Sequence, residues 1–339
     1  MIQIIGSGIV GLTLADHLLN VGQRLHITTA NSGVDDTACS WWAGGMLAPF
    51  CEMESAEPLV GELSPYSMNY WRKLCEADNS TNCRYEQNGT VVISPNRDHN
   101  MLTHFAQKTQ AWERMDAQRL HTLEPVLSAH RDGLFYASEA HIEPRQVLQA
   151  LWDKVRNRAP VTTDTSLSEA DIDAMTSDSP NDWVLDCRGF DARQQLADLR
   201  GVRGEMLHLY NPELSLSRPV RLLHPRIPIY LVPRANGQLM LGATMIENAS
   251  RERASVRSVL ELLSALYAVN PAFSQSEIVE IGVDVRPAYP DNLPKIVRRG
   301  KRLHINGMYR HGYLLAPALA KIACDYLTQQ KDNPLIIKE

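Results

Sequence analysis

The chain lacks the features that mark several large protein classes. It has 339 residues and a formal net charge of −5, and no run of lysines or arginines is dense enough to follow a phosphate backbone. Nucleic acid is therefore a poor candidate partner. No apolar run approaches the roughly 18 residues that a membrane-spanning helix needs. We therefore expect a globular protein with no membrane partner.

Cysteine is sparse and unpatterned. None of the cysteines forms a Cys-x-x-Cys pair or stands at zinc-ligand spacing with histidines, so we predict no metal site. Scattered thiols are typical of a reducing compartment, and the first motif begins at residue 6 without a preceding signal peptide. We expect a cytoplasmic protein with reduced, mostly buried cysteines. The six positions are 39, 51, 75, 83, 187 and 324.

Strand–turn–helix signals stand at both ends of the chain. Residues 2–5 predict a buried strand, a glycine-rich turn follows, residues 12–19 predict a helix and residues 24–28 a second strand. This order implies a parallel sheet. Further strand–turn signals come at 183–189 and at 303–307, the latter before a helix from about Tyr313 to Leu327.

The middle of the chain has a different pattern. Residues 229–232 and 239–243 flank a turn and predict an antiparallel hairpin, and Asn88-Gly89 predicts a tight turn within 84–94. Helices are predicted over 61–76, 144–157 and 255–268, and the polar stretch 163–182 is predicted to be a surface excursion. One face of the helix predicted over 255–268 carries the apolar residues Val256, Val259, Leu260, Leu263, Leu266 and Tyr267.

The predicted fold class is therefore α/β, with a Rossmann-like parallel-sheet domain and an α+β second domain whose sheet is mainly antiparallel. The parallel-sheet domain is expected to be discontinuous. We expect it to comprise residues 1–84, 141–203 and 284–339, and the second domain to comprise residues 85–140 and 204–283.

A phosphate-binding turn is predicted at Gly6-x-Gly8-x-x-Gly11. Gly6 permits the tight turn, Gly8 lets backbone approach a pyrophosphate, and Gly11 lets the helix pack on the strand. The helix N-terminus adds free N–H groups and a favourable dipole. The acidic residue expected after the second strand is missing, and Thr28, Thr29 or Asn31 could bind the ribose instead. The absence of this acidic residue does not decide between FAD and a nicotinamide cofactor.

Five ordered segments give a more specific signal. The segment Ser40-Trp-Trp-Ala-Gly-Gly-Met-Leu-Ala-Pro49 resembles the flavin-approach segment of glycine oxidases, in the D-amino-acid oxidase superfamily. Segments 230–234, 242–245, 286–294 and 309–317 agree in the same order. The resemblance covers essentially the whole chain. The family is the glycine oxidase that feeds thiazole formation in bacterial thiamine biosynthesis.

The resemblance implies a non-covalent FAD, with the parallel-sheet domain as its binding domain and the second domain as the substrate-binding domain. It implies that Arg286 and Tyr230 bind the amino-acid carboxylate and that Arg310 lies at the edge of the site. The implied cofactor-binding residues are Gly6, Ser7, Gly8, Ile9, Val10, Gly11, Thr28, Thr29, Ser40, Ala43, Gly44, Gly45, Met46, Gly189, Gly307, Met308, Tyr309, Arg310, His311, Gly312, Tyr313 and Leu314.

The activity implied by the resemblance is oxidation of glycine by FAD, with dioxygen reduced to hydrogen peroxide. No side-chain base is assigned, because His224 and His311 are interpreted as structural groups. Implied partners are glycine and dioxygen, a thiazole synthase that receives the product, and further copies of the chain in a tetramer. Sarcosine or D-amino-acid oxidation, a flavin-binding regulatory protein without turnover and a nicotinamide dehydrogenase remain as alternatives.

Overall fold

The computed structural model describes residues 1–77, 83–98, 100–176 and 182–339. Its strands are β1 (Ile2–Ile5), β2 (Leu25–Thr28), β3 (Met46–Leu47), β4 (Tyr85–Glu86), β5 (Thr90–Ile93), β6 (Glu113–Asp116), β7 (Asp132–Tyr136), β8 (Ala140–Ile142), β9 (Val161–Thr162), β10 (Trp183–Asp186), β11 (Arg200–Tyr210), β12 (Val220–Leu222), β13 (Ile229–Pro233), β14 (Gln238–Gly242), β15 (Glu277–Ala288), β16 (Lys295–Arg299), β17 (Arg302–Asn306) and β18 (Ile336–Lys338). Its helices are α1 (Ile9–Asn20), α2 (Pro49–Glu52), α3 (Pro58–Glu76), α4 (Asn100–Lys108), α5 (Ala117–Leu123), α6 (Pro144–Arg156), α7 (Glu169–Ala174), α8 (Val256–Val269) and α9 (Gly312–Gln329).

Two large sheets organise the molecule, as the sequence predicts for an α/β fold. One has the order β18-β16-β17-β10-β1-β2-β9 and is parallel except for the β16–β17 pair. The other has the order β15-β11-β14-β13-β12-β5-β7-β6 and is antiparallel except for the β5–β12 pair. A small sheet of β3, β8 and β4 accompanies them.

The first core lies around the parallel sheet. Its central strands are short and almost wholly apolar, as expected when helices cover both faces. Helix α1 packs against α6 and α9, and α9 also packs against α3. Separate apolar clusters fill the antiparallel half, where α8 covers β11, β13 and β14. The domain limits predicted from the sequence stay a prediction.

Several local expectations are wrong in an instructive way. Strands β4 and β5 flank the Asn88-Gly89 turn but enter different sheets instead of pairing with each other. Within the predicted excursion 163–182, a capping box of Ser168 and Asp171 starts helix α7, and residues 177–181 lie outside the described part. Cys75 and Cys83 are joined by a disulfide, so these two are not reduced thiols.

The predicted face of α8 is also wrong. Val256, Leu260 and Tyr267 are 86%, 64% and 57% exposed, whereas Leu262 and Ala265 are buried. The buried stripe is rotated because Leu262, Ala265, Leu266 and Val269 repeat at helical spacing as well. An amphipathic pattern that is apolar on two sides does not tell the sheet-facing side from the solvent-facing side.

Candidate active site

A cleft of about 740 Å³ lies between the two sheets, and we call it the central cleft. This volume is in the range of cofactor and substrate sites. Residues from both halves line it, including the glycine turn after β1, the segment 40–46, β13, β15 and the loop before α9. The sequence analysis named most of these residues. Of the implied site residues, Gly11 and Gly307 are the two that do not line the cleft.

The turn after β1 has the geometry of a dinucleotide cradle. Gly6 has a φ of +105°, and a Cβ there would lie 2.8 Å from the carbonyl oxygen of Cys187. A Cβ on Gly8 would meet only the Ser40 hydroxyl, at 3.7 Å, so this backbone stays open toward the cleft. The N-terminus of α1 begins at Ile9, where the first backbone N–H groups have no partner inside the helix. These features fit a pyrophosphate at this end of the cleft.

Gly11 and Gly307 serve packing instead of lining the cleft. A Cβ on Gly11 would stand 2.0 Å from the carbonyl oxygen of Gly6, so only glycine lets the helix approach the turn. Gly307 has a φ of +82° and lies against the ring of Tyr289. Their assignment as cofactor-binding residues stays a prediction.

Hydrogen bonds connect the residues that follow β2 with one another and with the glycine turn after β1. The hydroxyls of Ser7 and Thr29 are 2.8 Å apart, and the Ser7 hydroxyl also donates to the carbonyl of Gly33. The Asn31 amide donates to Asp35. Thr28, Thr29 and Asn31 line the cleft, as expected for a ribose site without a carboxylate.

The opposite end of the cleft, which we call the substrate end, is rich in charge. Its members are Tyr230, Arg286, Arg310, Glu52 and Arg221. The first three are predicted from the sequence, whereas Glu52 and Arg221 are not. No local motif marks these two residues, because their contacts join α2, β12 and the loop before α9 over 169 or more positions of sequence.

Glu52 ties two of the arginines together. Its carboxylate is 2.5 Å from Arg310 Nη2 and 3.3 Å from Arg221 Nη1. Burial by itself would raise the pKa of Glu52, but the two guanidinium charges outweigh it and lower the pKa to about 2. Arg310 also contacts the Met245 sulfur at 3.3 Å. Arg310 therefore already has an acidic partner.

Arg286 has no such partner. Among the cleft arginines in the described ranges, Arg188, Arg221, Arg251 and Arg310 each have a carboxylate within 4.0 Å, and Arg286 has none. Its Nη1 donates to the carbonyl of Thr244 at 3.1 Å. The residue lies within β15, opposite Val202 of β11. A Cβ on Gly204 would lie about 2.4 Å from its guanidinium, so glycine makes room for the fork.

Tyr230 lies beside this arginine. Burial raises the pKa of the Tyr230 phenol, and the neighbouring charge of Arg286 acts in the opposite direction. The phenol is therefore protonated at neutral pH and can donate a hydrogen bond. Gly44 and Gly242 pack on its ring, because a Cβ at either position would come within 3 Å of ring atoms.

The histidines divide into two kinds. His224 Nδ1 accepts from the N–H groups of Arg226 and Ile227, so it stabilises a turn. His311 lines the cleft, and burial lowers its pKa to about 4 despite the opposing charge of Glu52. It is a neutral imidazole at physiological pH.

The described residues contain no cluster of His, Cys, Asp and Glu that could hold a metal ion. Within the same residues, no helix is long and apolar enough to cross a bilayer.

The cradle, the cleft and the charged substrate end together define a dinucleotide-binding oxidoreductase. Comparison with known proteins identifies the family: the profile described as FAD dependent oxidoreductase (DAO) matches residues 1–326, and the chain belongs to this family. It is an FAD-dependent oxidoreductase, and the open backbone at Gly8 is consistent with that cofactor.

Individual relatives agree with this assignment. The chain is 43% identical over 327 residues to a Rhizobium etli protein that carries the name thiamine biosynthesis oxidoreductase ThiO, with 96% of each chain covered. It is 24% identical over 357 residues to a glycine oxidase of Bacillus licheniformis, covering 96% of this chain and 92% of the relative. The crystal structure of glycine oxidase from Bacillus cereus superposes with a TM-score of 0.84 at 20% identity, covering 98% and 96% of the two chains, and this likeness shows the fold.

Proposed function

We propose that this protein oxidises glycine to its imine, which water converts to glyoxylate and ammonia, while dioxygen is reduced to hydrogen peroxide. The observation that carries the proposal is the partly buried phenol of Tyr230 beside Arg286, the cleft arginine without a carboxylate partner in the described chain. A guanidinium fork and a phenol O–H suit one carboxylate. The resemblance to glycine oxidases supplies the substrate class.

In this proposal the chain binds, orients and shields the substrate. Arg286 and Tyr230 hold the carboxylate, which leaves the adjacent carbon to face the cofactor. Glu52 keeps Arg310 occupied, so the substrate carboxylate is directed to Arg286. Bound FAD would supply the acceptor for a hydride from that carbon and the reducing equivalents for dioxygen. We assign no side-chain base, and the ammonium proton leaves to solvent on binding.

The cofactor is proposed to be non-covalent. Two described thiols line the cleft, Cys39 and Cys187. Burial raises the pKa of Cys39 to about 12 and that of Cys187 well above its ordinary value, so little thiolate is present to attack a flavin ring. Acid precipitation of the purified yellow protein should release all of the colour into the supernatant. Colour that stays in the pellet would refute non-covalent binding.

The test of the activity compares substrates directly. Peroxide release should be fastest with glycine and slower with sarcosine and D-alanine, because the chain resembles glycine oxidases. Under anaerobic conditions glycine should bleach the flavin absorption. A loaded protein that neither bleaches nor releases peroxide with glycine would contradict the proposal.

Three further expectations belong with this function. A homo-oligomer is expected, with a tetramer as the first candidate, and the exposed apolar residues Val256, Leu260, Ile278 and Val279 of α8 and β15 offer a contact surface. Light scattering of the purified protein measures this. Delivery of the product to a thiazole synthase and a cytoplasmic location are proposed from the resemblance, and the name of the Rhizobium relative supports the pathway.

A further inference from the structure

Arg234 lies behind the wall of the central cleft and does not line it. Its side chain is only 3% exposed. It follows the last residue of β13, the strand that carries Tyr230. Burying a guanidinium costs several kcal/mol unless it is well paired, so its partners show what the burial achieves.

Two kinds of partner hold this guanidinium. Nε lies 2.6 Å from a carboxylate oxygen of Glu143, which also caps α6 by accepting from the N–H of Arg145. Nη2 donates to the carbonyl of Gly44 at 2.8 Å and lies 3.5 Å from that of Ala43. The arginine therefore fixes the carbonyl of a residue in the segment that resembles the flavin-approach segment.

The orientation of that carbonyl determines the orientation of the next N–H. In a trans peptide unit the C=O and N–H groups point in opposite directions, and the cis bond found in the described chain is elsewhere, at Gly242-Ala243. Since the Gly44 carbonyl points back to Arg234, the Gly45 N–H points the other way. Gly45 lines the cleft, and its N–H has no acceptor among the described residues.

The rest of the segment is anchored in the same manner. The hydroxyl of Tyr313 donates to the carbonyl of Ser40 at 3.0 Å, and the Ile142 N–H donates to the carbonyl of Gly45 at 2.9 Å. Gly45 has a φ of +71°, and a Cβ would lie 2.2 Å from the carbonyl oxygen of Ile142. The carbonyl oxygens of Ser40, Gly44 and Gly45 thus each accept a hydrogen bond from the protein, which holds the backbone of the segment in one conformation.

We propose that Arg234 is a positioning residue that holds the Gly44 carbonyl behind the cleft wall and so turns the Gly45 N–H toward the cofactor ring as a hydrogen-bond donor. This inference rests on the proposed flavin chemistry. A donor aimed at the ring stabilises the negative charge that develops when the ring is reduced. Arg234 also holds Gly44 against the Tyr230 ring, which couples the cofactor side of the cleft to the carboxylate clamp.

The test uses Arg234→Met and Arg234→Lys in the FAD-loaded protein. In Arg234→Met the flavin midpoint potential should move to a more negative value, its visible absorption bands should shift, and kcat for glycine should fall roughly tenfold with a smaller change in KM. Arg234→Lys should recover part of the spectral shift, because an ammonium can still donate to one carbonyl. If Arg234→Met does not retain flavin, the Lys variant carries the test.

A matched control separates positioning from stability. Arg218 pairs with buried Glu124 at 2.7 Å, is 14% exposed and does not line the cleft. Arg218→Met should lower the unfolding temperature but leave the flavin potential and spectrum as in the wild type. Unchanged potential and spectrum in loaded Arg234 variants would overturn the proposal. These two readouts need only bound flavin, so a failure of wild-type glycine oxidation would count against the proposed function alone.

Discussion

The two ends of the central cleft differ in composition: one is formed mainly by backbone and the other mainly by side chains. The dinucleotide end consists of backbone, with Gly6, Gly8 and the start of α1 within a few positions of one another. The substrate end consists of side chains that come from α2, β12, β13, β15 and the loop before α9. At the backbone end an added Cβ would collide with the protein, as at Gly11, or take the space of the cofactor, as at Gly8, whereas the side-chain end depends on charge balance. Substitutions at the two ends should therefore impair the protein in different ways.

The largest effects are expected at the glycines. Gly11→Ala would place a Cβ 2.0 Å from a carbonyl oxygen and should cost more than about 3 kcal/mol of unfolding free energy. The Cβ of Gly8→Val would make only an ordinary contact, 3.7 Å from the Ser40 hydroxyl, so the apo protein should stay nearly as stable but be unable to retain FAD. Urea unfolding and FAD titration measure the two effects. Retention of a full complement of yellow cofactor by Gly8→Val would remove the phosphate site from this turn.

His311 should make stability depend on pH. Its pKa is about 4 in the folded chain and ordinarily near 6.5, so between these values the unfolded chain binds more protons and stability rises with pH. Its contribution is complete above pH 6.5 and is lost as the pH falls toward 4. His311→Asn should flatten this dependence by roughly 3 kcal/mol across that window. The surface variant His121→Asn is the control, and equal slopes for both variants would contradict the assignment.

Glu52 tests the charge balance of the substrate end. Glu52→Gln leaves Arg310 and Arg221 without their shared carboxylate and should cost about 2 kcal/mol of unfolding free energy, less than a fully buried pair because both partners keep some solvent contact. The freed Arg310 should also compete for the substrate carboxylate and change KM. Glu261→Gln, whose partner Arg257 is exposed, should cost under about 0.5 kcal/mol. Equal losses in the two variants would show that the buried network adds nothing.

The smallest effect is expected from a single hydroxyl. Tyr230→Phe keeps the ring that packs on Gly44 and Gly242 but removes the donor. One hydrogen bond contributes about 1 kcal/mol, so KM for glycine should rise about fivefold with kcat little changed. Tyr267→Phe on the exposed face of α8 is the control. A Tyr230→Phe variant with wild-type KM would take the phenol out of the clamp.

The same contrast explains what the sequence could predict. The dinucleotide end was predictable, because the glycine roles follow from strand, turn and helix within 20 residues. At the substrate end, Tyr230 and Arg286 were found through the resemblance, whereas Glu52 and Arg221 were missed since ion pairs between distant elements leave no local pattern. The face of α8 and the partners of β4 and β5 depend on tertiary packing, which sequence periodicity does not record.

The central claim is that the guanidinium of Arg286 takes the substrate carboxylate, and one titration tests it most directly. Glycolate, a small carboxylate without an amine, is added to the FAD-loaded protein while its binding is followed through the flavin absorption. A charge-assisted pair contributes roughly 1.5–3 kcal/mol, so Arg286→Gln should weaken binding about 10- to 150-fold, while Arg218→Gln should bind as the wild type does. Equal glycolate affinity in the wild type and in Arg286→Gln would contradict the account.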